Sequence, residues 1–223
     1  TVTDDVTVVV RSMPTANAGV PEVKQCDNGT FNLEGNQPLA DQAGKWSFDG
    51  ANLGAVITTP DNYKTTVTGV PAGKSVTLVW TVANKAMAAC VASDKIILTN
   101  TEAITVSNAG AAITQCGNNV FQLNGNTPKA TEKGLWTGTG VTFDDATKPD
   151  AKATVTGIAP QTVTLTWTIS NGVCTASSST VKLQLDKAPT VQVAAVADVC
   201  NSNGSFNLVL SNQTGDITKY SIK

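Results

Sequence analysis

The sequence predicts an all-β chain of tandem antiparallel β-sandwich repeats, and three observations carry that prediction. A motif C-x4-F-x-L-x-G-N-x-P followed by G-x-W occurs twice. Cys26, Phe31, Leu33, Gly35, Asn36, Pro38, Gly44 and Trp46 return 90 positions later as Cys116, Phe121, Leu123, Gly125, Asn126, Pro128, Gly134 and Trp136. Apolar residues then alternate at period two: Val76, Leu78 and Trp80 flank Thr77 and Val79, and Val163, Leu165 and Trp167 flank Thr164 and Thr166. That spacing places one face of an extended segment in a core and the other toward water. Finally, Asn, Gly, Pro and Asp punctuate short β-branched segments, and no stretch shows a convincing helical period.

Taken in order, residues 1–13 read as the end of a preceding repeat, with Thr1 to Val10 as its last strand. Residues 14–102 and 103–187 are two whole repeats, and 188–223 opens a further, divergent one in which Cys200-x5-Phe206-x-Leu208 echoes the start of the motif. Thr66-Val67-Thr68-Gly69-Val70 matches Thr154-Val155-Thr156-Gly157-Ile158. The offset between repeats falls from 90 at the first cysteine to 87 at Trp80/Trp167 and 84 at Cys90/Cys174. The deletions therefore lie between matched segments, in loops. About seven short strands fit each repeat. Asn171-Gly172 is a two-residue hairpin signal between Trp167–Ser170 and a final strand from Thr180 to Leu185. Seven antiparallel strands in about 85 residues, with a tryptophan early in each unit, predict immunoglobulin-like sandwiches.

Composition narrows the function classes. Of 223 residues, 41% are apolar and 14% charged, with a net charge of −2. The charges are scattered with no basic stripe, which disfavours nucleic acid as a partner. No apolar run is long enough to insert in a membrane as a helix. The chain opens on Thr1 and stops at Lys223 within an unfinished unit, as an excerpt of a longer protein would. Five cysteines without a C-x-x-C pair, and no histidine, point to disulfides rather than metal or redox centres. Disulfides in turn place the protein in an oxidising compartment, at the cell surface or in the medium.

The unit starts Asn17-Ala18-Gly19 and Asn108-Ala109-Gly110, the L-x-G-N-x-P segment, Gly134-Leu135-Trp136-Thr137-Gly138 and Trp167-Thr168-Ile169-Ser170-Asn171-Gly172-Val173-Cys174 together form a signature. It resembles the immunoglobulin-like repeats of giant SprB-like gliding-motility adhesins secreted by the type IX system. The likeness covers nearly the whole chain, and the second repeat carries it more closely than the first. It implies an exported surface adhesin, static or mobile; no cofactor is expected.

Cys26, Cys90, Cys116, Cys174 and Cys200 are the disulfide candidates. Pairing within each repeat joins Cys26 to Cys90 and Cys116 to Cys174, and it leaves neither whole repeat dependent on its neighbour. Closing the Cys26 to Cys90 loop would stabilise by about 4 kcal/mol in the chain-entropy model, a large share for a small domain. The geometry of the common sandwich opposes that pairing, because its two cysteines lie at opposite ends of a strand spanning about 20 Å, whereas bonded Cα atoms lie within about 7 Å. The alternative joins neighbours, Cys26 to Cys174, and staples them into a stiff rod. The within-repeat pairing is favoured here and both remain open.

Candidate chemistry is sparse. Without histidine there is no Ser-His-Asp or Cys-His arrangement. Asp144-Asp145 is an adjacent carboxylate pair within a whole repeat, but the first repeat has no acidic match and a solvated turn explains it. Asp61 after Pro60 and Asp150 after Pro149 invite a calcium reading with Asp144 and Asp145; Pro-Asp turns explain the recurrence more simply, and no metal site is assigned. Trp46, Trp80, Trp136 and Trp167 are expected in the cores rather than on a sugar-stacking platform. The expected function is therefore non-catalytic: a stalk segment of a large surface adhesin that presents a distal binding region and transmits force. Its partners are neighbouring repeats, with surface glycans or cell-envelope proteins beyond them. The alternatives are a glycan- or protein-binding module, or a spacer in a large secreted enzyme.

Overall fold

The computed structural model describes residues 12–193 together with positions 4, 6, 8, 10 and 210–214. Cys200, Phe206 and Leu208, the motif expected to open a divergent third repeat, lie outside the described residues. Among those described, strands occur and helices do not. The first repeat forms β1 (Glu22–Cys26), β2 (Phe31–Glu34), β3 (Gln42–Phe48), β4 (Val56–Ile57), β5 (Lys64–Thr68), β6 (Lys74–Asn84) and β7 (Met87–Thr101). The second forms β8 (Ile113–Cys116), β9 (Val120–Gln122), β10 (Lys133–Thr137), β11 (Val141–Phe143), β12 (Lys152–Val155), β13 (Gln161–Ser170) and β14 (Ser177–Asp186). Beyond it β15 (Thr190–Val193) pairs antiparallel with β16 (Leu210–Thr214). Asp4, Val6, Val8 and Val10, the described positions of the expected first strand, carry no strand pairing.

The chain divides into two units, one comprising Thr1–Ala103 with Gly172–Thr175 and the other Ile104–Asn171 with Ala176–Lys223. In the first, a four-stranded sheet of order β1-β7-β6-β3 accompanies a three-stranded sheet β2-β5-β4. The second unit repeats the arrangement as β8-β14-β13-β10 and β9-β12-β11. Every pairing within these sheets is antiparallel except β1 with β7 and β8 with β14. This is an immunoglobulin-like sandwich, and the period-two strands explain it. Along β6, Val76, Leu78, Trp80 and Val82 are buried while the residues between them are not. β13 does the same with Val163, Leu165, Trp167 and Ile169. Each core lies between the two sheets of its unit, joining Phe31, Leu33 and Val67 to Trp46, Leu78 and Trp80, or Phe121, Leu123 and Ala153 to Trp136, Leu165 and Trp167. Each large apolar side chain so buried contributes about 1.5–3 kcal/mol relative to exposure.

One turn departs from the sequence reading. Asn171-Gly172 does not form a two-residue hairpin. The β13–β14 ladder ends at Ile169 opposite Ser177, so a longer loop intervenes and the final strand starts at Ser177 rather than Thr180. Gly172 keeps the positive φ of 78° that its neighbour in the motif promised. The physical reason is the cysteine two residues on, which leaves the ladder to bond elsewhere. The first repeat has no Asn-Gly, yet it makes the tighter hairpin, with Asn84 directly opposite Met87.

Candidate functional site

The repeated motif builds a support for paired tryptophans. Trp46 on β3 lies opposite Trp80 on β6, and Trp136 on β10 lies opposite Trp167 on β13. Their ring centroids are 5.0 and 4.9 Å apart, tilted by 38° and 35°. All four are at most 1% exposed, so no ring face is open to a sugar. The glycine of G-x-W has the same face as the tryptophan two residues on, and the partner ring covers it. A Cβ on Gly44 would lie 2.2 Å from the Trp80 ring and 2.9 Å from Pro38; one on Gly134 would lie 2.2 Å from Trp167 and 3.1 Å from Pro128. The glycines of L-x-G are similarly close, Gly35 to Trp80 and Gly125 to both Trp136 and Trp167. Gly, Pro and Trp recur together because they fill one space.

The asparagine of the motif clasps the segment that enters each repeat. The Asn36 carboxamide oxygen accepts from the Asn17 N–H at 2.8 Å, its Nδ2 donates to Thr15 O at 2.9 Å, and its own N–H donates to Asn17 O at 2.9 Å. Asn126 repeats the three bonds with Asn108 N, Val106 O and Asn108 O. Asn17 and Asn108 then turn the chain, each accepting from the glycine two residues on. The indoles are satisfied too. Trp80 Nε1 donates to Asn36 Oδ1 and Trp167 Nε1 to Asn126 O, while Trp46 and Trp136 donate to carbonyls of the Pro-Asp turn regions, Tyr63 O and Lys148 O. Thus N-A-G and G-N-x-P, a recognisable signature in the sequence, form a structural clasp with its polar groups engaged within the fold.

The acidic candidates serve turns. Asp144 Oδ1 accepts from the N–H groups of Asp145 and Lys152, and Asp145 Oδ1 accepts from the hydroxyl and N–H of Thr147. The Lys152 N–H holds the Asp144 carboxyl below its ordinary range, and the Thr147 hydroxyl does so for Asp145. Both carboxylates are therefore ionised acceptors, with neither raised to act as an acid. Asp61 lines a shallow groove with Pro38, Thr59 and Tyr63. A second groove lies beside Pro128, lined by Lys129, Glu132, Leu135 and Thr147. The two share the motif proline, Pro38 or Pro128, but their remaining linings differ. Among the described residues no three His, Cys, Asp or Glu side chains converge as a metal site.

The cysteines depart most from the expectation. Cys26 is bonded to Cys174, with Cα atoms 5.0 Å apart and a sequence separation of 148. Cys90 and Cys116 are free. Pairing within the repeats, the favoured arrangement, is corrected by strand order. Cys26 ends β1 opposite Thr101, because β1 runs parallel to β7. Cys90 lies eleven residues earlier on the same strand, about 36 Å away at the rise of an extended chain. Cys116 likewise ends β8 opposite Asp186, twelve residues past Cys174. Residues Gly172–Thr175, the tip of the second repeat's hairpin, group with the first unit, and there Cys174 is only 9% exposed.

No family model matches the chain, and no curated protein matches it. Solved structures do. The immunoglobulin domains 1–5 of Sidekick-1 align with a TM-score of 0.52 at 10% identity, covering 83% of this chain and 42% of that one. The insect immune protein hemolin aligns with a TM-score of 0.46 at 15% identity over 82% of this chain and 55% of its own. Fibronectin(III)-like modules of CbhA from Clostridium thermocellum give 0.40 at 10% identity over 78% and 95%. At these identities the likeness shows the fold alone.

Proposed function

We propose that the chain is a non-catalytic stalk segment of an exported cell-surface adhesin, in which tandem immunoglobulin-like repeats present a distal binding region and carry tension to it. The observation that supports this reading best is the Cys26–Cys174 bond, which links one repeat covalently to the next. Tension entering before Cys26 and leaving after Cys174 passes through sulfur, so the residues between them are not drawn out. A domain built to bind or catalyse alone has no need of that protection. The motif residues add to the case, since Trp, Asn, Gly and Pro of the signature are engaged within each repeat, the tryptophans fully buried. The bond also suits an oxidising location outside the cytoplasm.

In this reading residues 1–13 close a preceding repeat, 14–102 and 103–187 are whole repeats, and 188–223 open another. The resemblance to SprB-like repeats supplies the finer expectation of type IX secretion and a role in attachment or gliding. Neighbouring repeats are the first partners, and surface glycans or envelope proteins are met at the distal region. Antibody raised to residues 14–187 and applied to live, attached source cells tests it. Label on the cell surface, and label that travels along the cell, is the expected result. Label confined to the medium overturns the adhesin in favour of a spacer in a secreted protein.

A further inference from the structure

We infer that Cys90 and Cys116 are half-sites of a disulfide ladder: the first cysteine of each repeat bonds the last cysteine of the repeat that follows. The inference deepens the stalk reading and rests on it, since it requires adjoining repeats. Cys26 and Cys116 hold the same place in their units. Each ends the first strand of its sheet, opposite the residue where the last strand runs out, Thr101 or Asp186. The residue after each donates its N–H to that same end, Asp27 to Thr101 O and Gly117 to Asp186 O. Cys90 and Cys174 are the matching last cysteines. One member of each equivalent pair is bonded and the other is free. Applied to the next repeat along, the rule that joins 26 to 174 assigns Cys116 to the last cysteine of a following repeat. Applied one repeat back, it assigns Cys90 to the first cysteine of a preceding one.

Two further observations agree. Around the bonded Cys174 the loop is drawn in, with Val173 half-buried. Around Cys90 the matching tip is open and, apart from Lys85 at its turn, apolar: Ala86, Ala88 and Ala89 are exposed, and Met87 and Val91 are each 45% exposed. An apolar rim about a free thiol suits a covering protein surface rather than water. Secondly, Pro14-Thr15 matches Pro189-Thr190, which aligns Val6, Val8 and Val10 with Val181, Leu183 and Leu185 of β14. The latter three are buried core residues, whereas the valines are 83%, 78% and 89% exposed. They carry the pattern of a last strand whose sandwich is the preceding repeat, the repeat that would also supply the partner of Cys90.

Each bond forms by thiol–disulfide exchange. The thiolate of one cysteine attacks an oxidised dithiol carrier, breaking the carrier's S–S bond and forming a mixed disulfide. The second cysteine then displaces the carrier, which leaves as a dithiol with two electrons and two protons.

The test is thiol-blocking followed by non-reducing peptide mapping of the full-length protein taken from its source cells. The expected result is a Cys116 peptide linked to the last cysteine of the next repeat and a Cys90 peptide linked to a cysteine preceding an F-x-L segment. Recovery of either cysteine in blocked form, or bonded within its own repeat, overturns the ladder while leaving a surface-labelled stalk intact. In the isolated 223-residue chain, Cys90, Cys116 and Cys200 should all react with the blocking reagent. A Cys90–Cys116 or Cys116–Cys200 linked peptide there overturns it as well. Absence of surface label, by contrast, removes the adhesin reading and leaves the mapping result standing.

Discussion

Single atoms decide what the motif tolerates. Gly44→Ala places a methyl 2.2 Å from the Trp80 ring, and the ring cannot retreat because Trp46 lies against it at 5.0 Å. Overpacking of this kind costs about 3 kcal/mol. Gly50→Ala is the comparison: its φ of 103° strains a side chain, but nothing lies within 4 Å, so the cost is about 1 kcal/mol. Urea unfolding of the two variants measures the difference, and equal losses would show that the ring does yield. The carboxylates of the second repeat make a pH prediction. Folding holds Asp144 and Asp145 below their ordinary value of 3.8 through the Lys152 N–H and the Thr147 hydroxyl. As pH falls the unfolded chain therefore takes up these protons first. Their stabilising contribution is complete above pH 3.8 and is lost as pH falls from there through the lower folded values. Both groups are open to solvent, so salt weakens the effect. An acid titration of unfolding with Asp145→Asn as reference should show a shallower decline in the variant.

Among the elements, the hairpins that lead into the last strand of each repeat separate cause from context. β6–β7 is a tight hairpin closed by Asn84 and Met87, whereas β13–β14 opens into a loop around Cys174. The loop geometry belongs to the bond and not to its Asn-Gly. In Cys26→Ser, amides at residues 172–175 should exchange at least tenfold faster with solvent, since the covalent anchor is gone and local opening becomes cheap. Cys90→Ser should leave exchange there unchanged. Equal rates in Cys26→Ser and the parent would mean that packing, rather than the bond, holds the loop.

At the scale of the whole molecule the bond governs extension. Chain entropy alone makes a cross-link spanning 148 positions worth about 5 kcal/mol against full unfolding, with measured values for such links between about 0 and 5. Its mechanical effect is larger and simpler. Pulled from its ends, the oxidised chain should release only residues outside the Cys26–Cys174 segment. With reductant the enclosed 148 positions should add about 500 Å of contour at about 3.4 Å per residue, less the folded end-to-end distance. Single-molecule extension reads this directly. Release of that length before reduction would show that the bond does not carry the load.

The sequence by itself determined the sandwich. Period-two residues such as Val76, Leu78 and Trp80 can bury one face only as strands, and a motif repeated at a 90-residue offset can only be a repeated unit. The glycines and the asparagine of the signature were legible as a pattern but not as a mechanism. Gly44 and Trp80 are 36 positions apart and meet through the β3–β6 pairing, while Asn17 and Asn36, nineteen apart, meet through loop hydrogen bonds that only the folded chain makes. The cysteine pairing was legible only as a choice between two arrangements, because spacing does not show which strand ends meet. Pairing within each repeat was favoured because it leaves neither repeat dependent on its neighbour, although the length of a strand already opposed it. Tertiary structure decided otherwise: β1 lies parallel to β7, which sets Cys26 at the end of the strand away from Cys90 and leaves it to Cys174.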